Sequence, residues 1–283
     1  MKETKYYFLL EHGRKLFLRK GYGWQDSYLE KIIQPVINDL IPQNAQYVAS
    51  SENTKCWNVP VEDSSLLIKF FNFGDIFDRL FFLRKSRSLR AWEGSMLLLE
   101  RGFSTPTLIA QGDITERFLL RKTFFITNAL KGSLSVYEYL DTFFKERSAK
   151  VIQQKRGFII KMGRLIGRLH KAGIFHGDLR PGNILIVNSD NDSIFYFIDN
   201  ERNRFFSKGI PQRLREKNLV QINMILKPQI TFSDRMRFFK AYLIENPELE
   251  PVAKRLIRRI FLKTKKRLTK KISGVWGKEN GQN

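Results

Sequence analysis

Three side chains in one short stretch are of the types that move a phosphoryl group. In HGDLRPGNILIVNSDNDSIFYFIDNER, residues 176–202, Asp178 and Asn183 stand five apart, and Asp199 closes an apolar run, FYFID. Transfer from ATP to a hydroxyl asks for one carboxylate to accept or orient the hydroxyl proton. It asks for a second carboxylate and an amide oxygen to hold Mg²⁺ across the phosphates. Asp178 is of the type for the base, and Asn183 and Asp199 are hard oxygen donors of the kind Mg²⁺ prefers. Pro181 and Gly182 form the tight turn that brings Asn183 back toward Asp178. The same residue types fill ordinary turns. The full order, helix, H-x-D-x-x-x-x-N, strand, turn, apolar strand and Asp, is what points to catalysis.

Those residues need a frame, and periodicity supplies one. Residues 5–20 read as two strands around His12-Gly13, and 26–41 as a helix with Leu29, Ile32, Ile33, Val36, Ile37 and Leu40 on one face. Short β-rich runs follow at 46–50, 55–60 and 65–71, the last (SLLIKFF) carrying Lys69. A helix at 87–101 ends at Gly102, and strands are expected at 107–111 and 117–128. Helices at 136–144 and 151–172 come next, then the loop, strands at 184–187 and 194–198, and a helical remainder. The expected organisation is a β-rich part over 1–130, a mostly helical part over 131–262 and a basic amphipathic tail over 263–283.

The chain has 283 residues and a formal net charge of +22. That charge speaks to partners, not to fold: nucleic acid, an anionic membrane or an acidic substrate. Cys56 is the single cysteine, so no internal disulfide can form. No apolar run approaches the ~18 residues of a membrane span. The expectation is a cytoplasmic protein with at most peripheral membrane contact. Three scattered histidines, His12, His170 and His176, and one cysteine do not make a zinc site. His176 reads as an orienting residue of the loop, not a proton carrier.

The 176–202 segment resembles the catalytic and metal loops of the protein-kinase-like superfamily. Within it, HGDLRPGNILI…FYFIDNER is most similar to the bacterial lipopolysaccharide core kinases, which phosphorylate heptose or Kdo sugars. SRSLRAWEGSMLLLERGFSTP (86–106) and REKNLVQINMIL (215–226) resemble further family segments. The resemblance spans about residues 46–243. It implies an α+β, two-lobed protein-kinase-like fold, with a β-rich N-lobe and a mostly helical C-lobe. It also implies ATP and Mg²⁺, Asp178 as base, and Asn183 and Asp199 as metal ligands. Lys69 takes the place of the lysine that grips the phosphates, and its partner is expected on the 87–101 helix, where Glu93 is the mid-helix acid. The chain departs from the pattern in two places. Asn200 stands where the family usually has Phe, and ASSENTKCWNV (49–59), with Ser50, Ser51 and Asn53, replaces a Gly-rich phosphate loop.

The acceptor is narrowed by two features. Gly177 follows His176 where many protein kinases carry Arg, and no Ala-Pro-Glu follows Asp199. Arg202, Arg204, Lys208 and Arg213 instead form a cationic run suited to an anionic acceptor, the lipopolysaccharide core. From residue 252 on there are 11 Lys/Arg and one acid, Glu279, with Leu256, Ile260, Leu268, Ile272 and Trp276 near helical spacing. Such a helix suits an anionic inner-membrane surface. Two alternatives stay open: a small-molecule kinase of the aminoglycoside or choline type, and a non-catalytic kinase-like binding protein. No nucleic-acid partner is expected, because no recognised binding motif accompanies the charge.

Overall fold

Strands of period two and helices of period 3.6 alternate along the chain. In the computed structural model they are, in order, β1 (Thr4–Leu9), β2 (Arg14–Lys20), α1 (Asp26–Ile37), β3 (Gln46–Val48), β4 (Thr54–Val61), β5 (Ser64–Phe71), α2 (Arg87–Leu99), β6 (Leu108–Glu116) and β7 (Leu119–Asn128). Then come β8 (Leu134–Ser135), α3 (Val136–Phe143), α4 (Ala149–Lys171), β9 (Ile174–Phe175), β10 (Ile184–Asn188), β11 (Ser193–Phe197), β12 (Arg204–Phe205), α5 (Gln212–Asn223), α6 (Phe232–Glu245) and α7 (Ala253–Glu279). The structure describes residues 4–10, 13–21, 26–38, 40, 44–48, 53–61, 64–73, 79–80, 84–188 and 193–279, with only the backbone given for 26–30 and 271–279. Ser50, Ser51 and His12 lie outside the described residues.

Two compact units result: Met1–Ser133 with Val187–Arg202, and Leu134–Ile186 with Asn203–Asn283. The return of 187–202 to the first unit was not expected. It is a packing effect: Phe197 donates its N–H to Ser104 at 2.9 Å, and its ring meets Phe103 edge-on.

The first unit is built on a seven-stranded sheet ordered β1-β2-β6-β7-β5-β4-β3, antiparallel throughout. Leu16, Leu18, Leu66, Ile68, Ile114, Phe124 and Ile126 fill one core with Ile33, Val36 and Ile37 of α1. On β5 the alternation puts Leu66 and Ile68 into that core and Lys69 on the other face. Lys69 is in register with Cys56 of β4, a buried free thiol. Burial pushes the Cys56 pKa up.

Helix α2 is tied down at its start. Ser86 caps it by accepting from Leu89 N–H at 3.0 Å. The same hydroxyl donates to buried Asp113 of β6 at 2.8 Å, joined there by Ser88 at 2.9 Å and Thr123 at 2.6 Å. No cation is among these donors, and desolvation raises the pKa of Asp113. The N-terminus of α2 is therefore fixed to the sheet through neutral donors.

In the second unit, α4 packs on α6. A Cβ at Gly163 would lie 2.4 Å from the Phe238 carbonyl oxygen, so the helices meet at backbone distance. Two short pairings bracket the loop between β9 and β10: Phe175 with Arg204 and Ile174 with Phe205 on one side, Leu185 with Ser135 and Ile186 with Leu134 on the other. Helix α7 lies on α5, with Leu256 and Ile260 buried. Glu216 of α5 receives Arg259 at 2.5 Å and also Lys263, and Asn223 donates to Thr264 at 3.0 Å. The helix thus runs unbroken through 262/263, and its packing reaches Thr264. Among the described residues, no helix is long and apolar enough to cross a membrane.

Candidate active site

The loop between β9 and β10 turns on Pro181–Asn183, one turn of 3-10 helix. Its tight turn lets the Asn183 amide donate to the Asp178 carbonyl oxygen at 2.9 Å and to Asp178 Oδ2 at 3.2 Å. Both bonds use the Asn183 NH₂, so the amide oxygen is its remaining acceptor. The expected approach of Asn183 to Asp178 is what the fold contains. His176 is wholly buried and accepts from the Asp178 N–H at 3.2 Å, which fixes the backbone of Asp178.

Behind Asp178 runs a chain of hydrogen bonds with one sense throughout. Buried Arg215 donates to the Tyr242 hydroxyl at 2.6 Å, and Tyr242 stands 2.9 Å from His170 Nδ1. His170 Nε2 lies 3.2 Å from Asn218 Oδ1. The Asn218 NH₂ donates to Gln221 Oε1 at 3.0 Å and to the His176 carbonyl at 2.6 Å. Gln221 in turn donates to Asp178 Oδ1 at 3.0 Å. Asn218 Oδ1 can only accept, which places the His170 proton on Nε2 and makes Tyr242, itself accepting from Arg215, the donor to Nδ1. Burial first, and the charge of Arg215 second, push the His170 pKa down to about 3, so the imidazole is neutral. Burial raises Tyr242 to about 12. Each link therefore keeps one protonation state near neutral pH, and Gln221 is aimed at Asp178.

The remaining candidate residues, Lys69, Glu93 and Asp199, belong to the first unit. Lys69 forms an ion pair with Asp199, not with Glu93. Glu93 instead takes Lys85 at 2.8 Å, one of the cations just before α2. The expected Lys69–Glu93 pair is thus replaced by a direct contact between two of the named site residues. Asp199 has φ +58, in the left-handed region that costs a non-Gly residue energy and often marks a functional constraint. The residues after it hold it there. Asn200 is buried and donates to Ser95 and Thr105, each at 3.0 Å. Gly94 leaves room for this segment, since a Cβ there would lie 2.0 Å from the Asn200 carbonyl oxygen. Glu201 receives Arg87 through Nε at 3.0 Å and Nη2 at 3.1 Å, a two-pronged pair. Arg87 also donates to the Asn53 carbonyl at 2.8 Å.

Comparison with known proteins decides what these two sets of groups belong to. The family model described as "Lipopolysaccharide kinase (Kdo/WaaP) family" matches residues 77–242, more than half of the chain. The chain belongs to that family. A solved structure of WaaP in complex with acyl carrier protein is similar at a TM-score of 0.60 and 19% identity, covering 83% of this chain and 95% of that one. The Rio2 kinase of Chaetomium thermophilum, solved with ADP, Mg²⁺ and phosphoaspartate, is a more distant likeness at 13% identity and a TM-score of 0.47, over 93% of this chain and 82% of that one. A curated relative, the EKC/KEOPS complex subunit BUD32 of Coccidioides immitis (strain RS), is 42% identical over 48 residues, only 17% of this chain and 16% of the fungal protein.

For a lipopolysaccharide kinase with this α+β, protein-kinase-like fold, the polar groups around Asp199 replace what a Phe would supply. Asn200 fills the position with hydrogen bonds in place of an apolar contact. Sequence reading missed Asn218, Gln221, Tyr242 and Arg87. A signal existed for the first two: Arg215, Asn218 and Gln221 recur every three residues in a helix whose Leu219, Val220 and Ile222 are apolar. That is a polar stripe on a buried element.

Proposed function

We propose that this protein is an ATP-dependent sugar kinase that phosphorylates a hydroxyl of the lipopolysaccharide inner core, on heptose or Kdo, at the cytoplasmic face of the inner membrane. The observation that carries the reading is the held carboxylate of Asp178, aimed by Gln221 and Asn183 in a family of lipopolysaccharide kinases. Asp178 takes or orients the acceptor proton. Lys69 serves the phosphates of ATP. Mg²⁺ fits the donors present: Asn183 keeps its amide oxygen as the available acceptor, and Asp199 offers a partly exposed carboxylate. The metal, when bound, neutralises charge on the phosphates. Lys69 must then exchange Asp199 for phosphate oxygens.

The basic end of α7 supports a membrane address. Leu262, Lys265, Lys266, Thr269 and Lys270 line one open, cation-rich surface next to Thr264, the last buried residue among those whose side chains are described. Each Lys or Arg near an anionic surface adds about 1 kcal/mol. Because Lys263 and Thr264 belong to the packed part, the informative truncation removes 265–283. It should release the protein from anionic vesicles at moderate salt and leave ATP affinity unchanged. An acidic carrier protein is a second partner to try, since WaaP was solved with acyl carrier protein and a +22 chain suits an acidic surface.

The decisive experiment is transfer of labelled phosphate from ATP to purified lipopolysaccharide core and, in parallel, to aminoglycosides and choline. Mass spectrometry then locates the new phosphate. Labelling of the soluble amines alone would overturn the reading.

A further inference from the structure

Three donors meet the two carboxylate oxygens of Asp178. Oδ2 takes the Asn183 NH₂ at 3.2 Å; Oδ1 takes Gln221 Nε2 at 3.0 Å and Arg180 Nε at 2.7 Å. These three partners are not equivalent. Gln221 is buried and held from behind by Asn218. Asn183 is pinned by its second bond, to the Asp178 carbonyl. Arg180 comes from only two residues along the chain, and its side chain is 68% exposed. A base that is to receive a hydroxyl proton must turn a lone pair toward that hydroxyl. Of the three partners, Arg180 alone can leave for solvent without orphaning a buried group.

The surroundings of Arg180 say where it goes. Burial raises the pKa of the Tyr137 hydroxyl, and the charges of Arg180 and Lys227 both act against that rise. The Tyr137 ring lies against the loop itself, 3.8 Å from where a Cβ on Gly182 would stand. Lys227 is anchored by Asp141, which also accepts from Gln229 at 3.2 Å and whose pKa is lowered chiefly by Lys227. The guanidinium of Arg180 at Asp178, the Tyr137 ring against the same loop and the Lys227 ammonium held on Asp141, four residues from Tyr137 along one helix, offer a donor set for an oxyanion. Guanidinium groups bind carboxylate and phosphate with two parallel bonds.

We propose that Arg180 is a positioning and specificity residue, a latch that holds Asp178 until an acceptor bearing a carboxylate or phosphate near its reacting hydroxyl draws the guanidinium away. The anion is read by Arg180 with Tyr137 and Lys227, and its arrival frees Asp178 for the hydroxyl. This rests on the sugar-kinase reading of the site. The carboxylate of a Kdo sugar and the phosphate of a neighbouring core sugar share the required chemistry.

The test pairs kinetics with a direct view of Arg180. Steady-state rates are measured with a Kdo-terminated acceptor and its carboxyl methyl ester, and with a heptose-terminated acceptor before and after removal of its phosphate. In the wild type, the anionic member of one pair should have a KM about 10–100-fold lower, the range of one strong charge-assisted contact. The pair that shows the difference identifies the source. Arg180→Gln should abolish that difference by raising KM for the anionic member only, and Arg180→Lys should restore part of it. An equal fall of kcat on all acceptors, with discrimination intact, would overturn the proposal and leave Arg180 as a mere support for Asp178. Independently of turnover, the Nε–H resonance of Arg180, assigned by its loss in Arg180→Lys, should shift when free Kdo or inorganic phosphate is added to the full-length protein. A resonance unmoved by both overturns the latch even if core sugars are phosphorylated. A shift without any core phosphorylation keeps the latch and rejects only the lipopolysaccharide acceptor.

Discussion

Asp178 and Asp199 are held in different ways. Behind Asp178 stand two amides, an imidazole and a phenol, all buried and ending on Arg215. Around Asp199 stand the Lys69 cation and the two-pronged Arg87–Glu201 pair, which keep partial contact with solvent. Neutral buried networks are stiff, insensitive to salt and costly to interrupt. Ion pairs near solvent are adjustable and weaker. The difference matches the work of each group. On the proposed reading, Asp178 must stay aimed while acceptors come and go, whereas Lys69 must change partners each time ATP binds.

The sharpest break in the comparison comes from the two aspartates themselves. Asp178→Ala should cut turnover by about 10²–10⁴ or more while nucleotide binding persists. Asp199→Ala should lower turnover and weaken Mg-ATP binding together, because it removes both a metal ligand and the partner of Lys69. Calorimetric titration of Mg-ATP beside single-turnover rates separates the two, and equal ATP affinities in both variants would remove Asp199 from the metal role.

Next in size is Asn218→Ala. It strands the His176 carbonyl, Gln221 and His170, and each orphaned buried group costs about 1–3 kcal/mol. Thermal unfolding should shift down by several degrees, and kcat should fall because Gln221 loses its aim. Leaving kcat intact in the folded variant would show that the chain behind Asp178 serves stability alone.

Acid should expose the same network. The pKa of His170 is depressed to about 3 in the fold, against an unfolded value near 6.5, so only the unfolded chain takes up the proton in between. Its contribution is complete above about pH 6.5 and declines as pH falls toward 3, by about 1.4 kcal/mol per unit. Denaturation midpoints at pH 7 and pH 5 should therefore converge in His170→Gln relative to the wild type. An unchanged difference would mean that His170 carries a proton in the fold.

The smallest effect belongs to the other side. Arg87→Gln should raise KM for ATP several-fold and lower stability by about 1–3 kcal/mol, the scale of a charged hydrogen bond. Added salt should reproduce part of that KM change in the wild type and leave the Asn218 effect untouched.

Much of this was legible in the residues. The strands, α2 and α4 follow from local periodicity, and Asp178, Asn183 and Asp199 stand in one continuous string, so little long-range information was needed. What escaped depends on packing between distant segments. Lys69 and Asp199 are 130 residues apart, and a lysine in an apolar strand does not name its partner. Glu93 is the right residue type at a fitting position, yet Lys85 lies only eight residues before it and takes it first. Asn218 and Gln221 look like any exposed polar residues until α5 is known to be buried. The packing of α7 past 262 was hidden by its charge, because Lys263 reads as solvated until Glu216 is placed beneath it.

Cys56 gives this chain a native reporter. It is the sole sulfhydryl, sits on β4 in register with Lys69 and has only β3 between it and the edge of the sheet. A buried thiol with a raised pKa reacts slowly, and chiefly when the strands around it part. Its rate of alkylation therefore measures how often the sheet beside the nucleotide lysine breathes, with no second cysteine to blur the signal. Slower labelling in the presence of Mg-ATP would time the tightening of that region directly, in the unmodified protein.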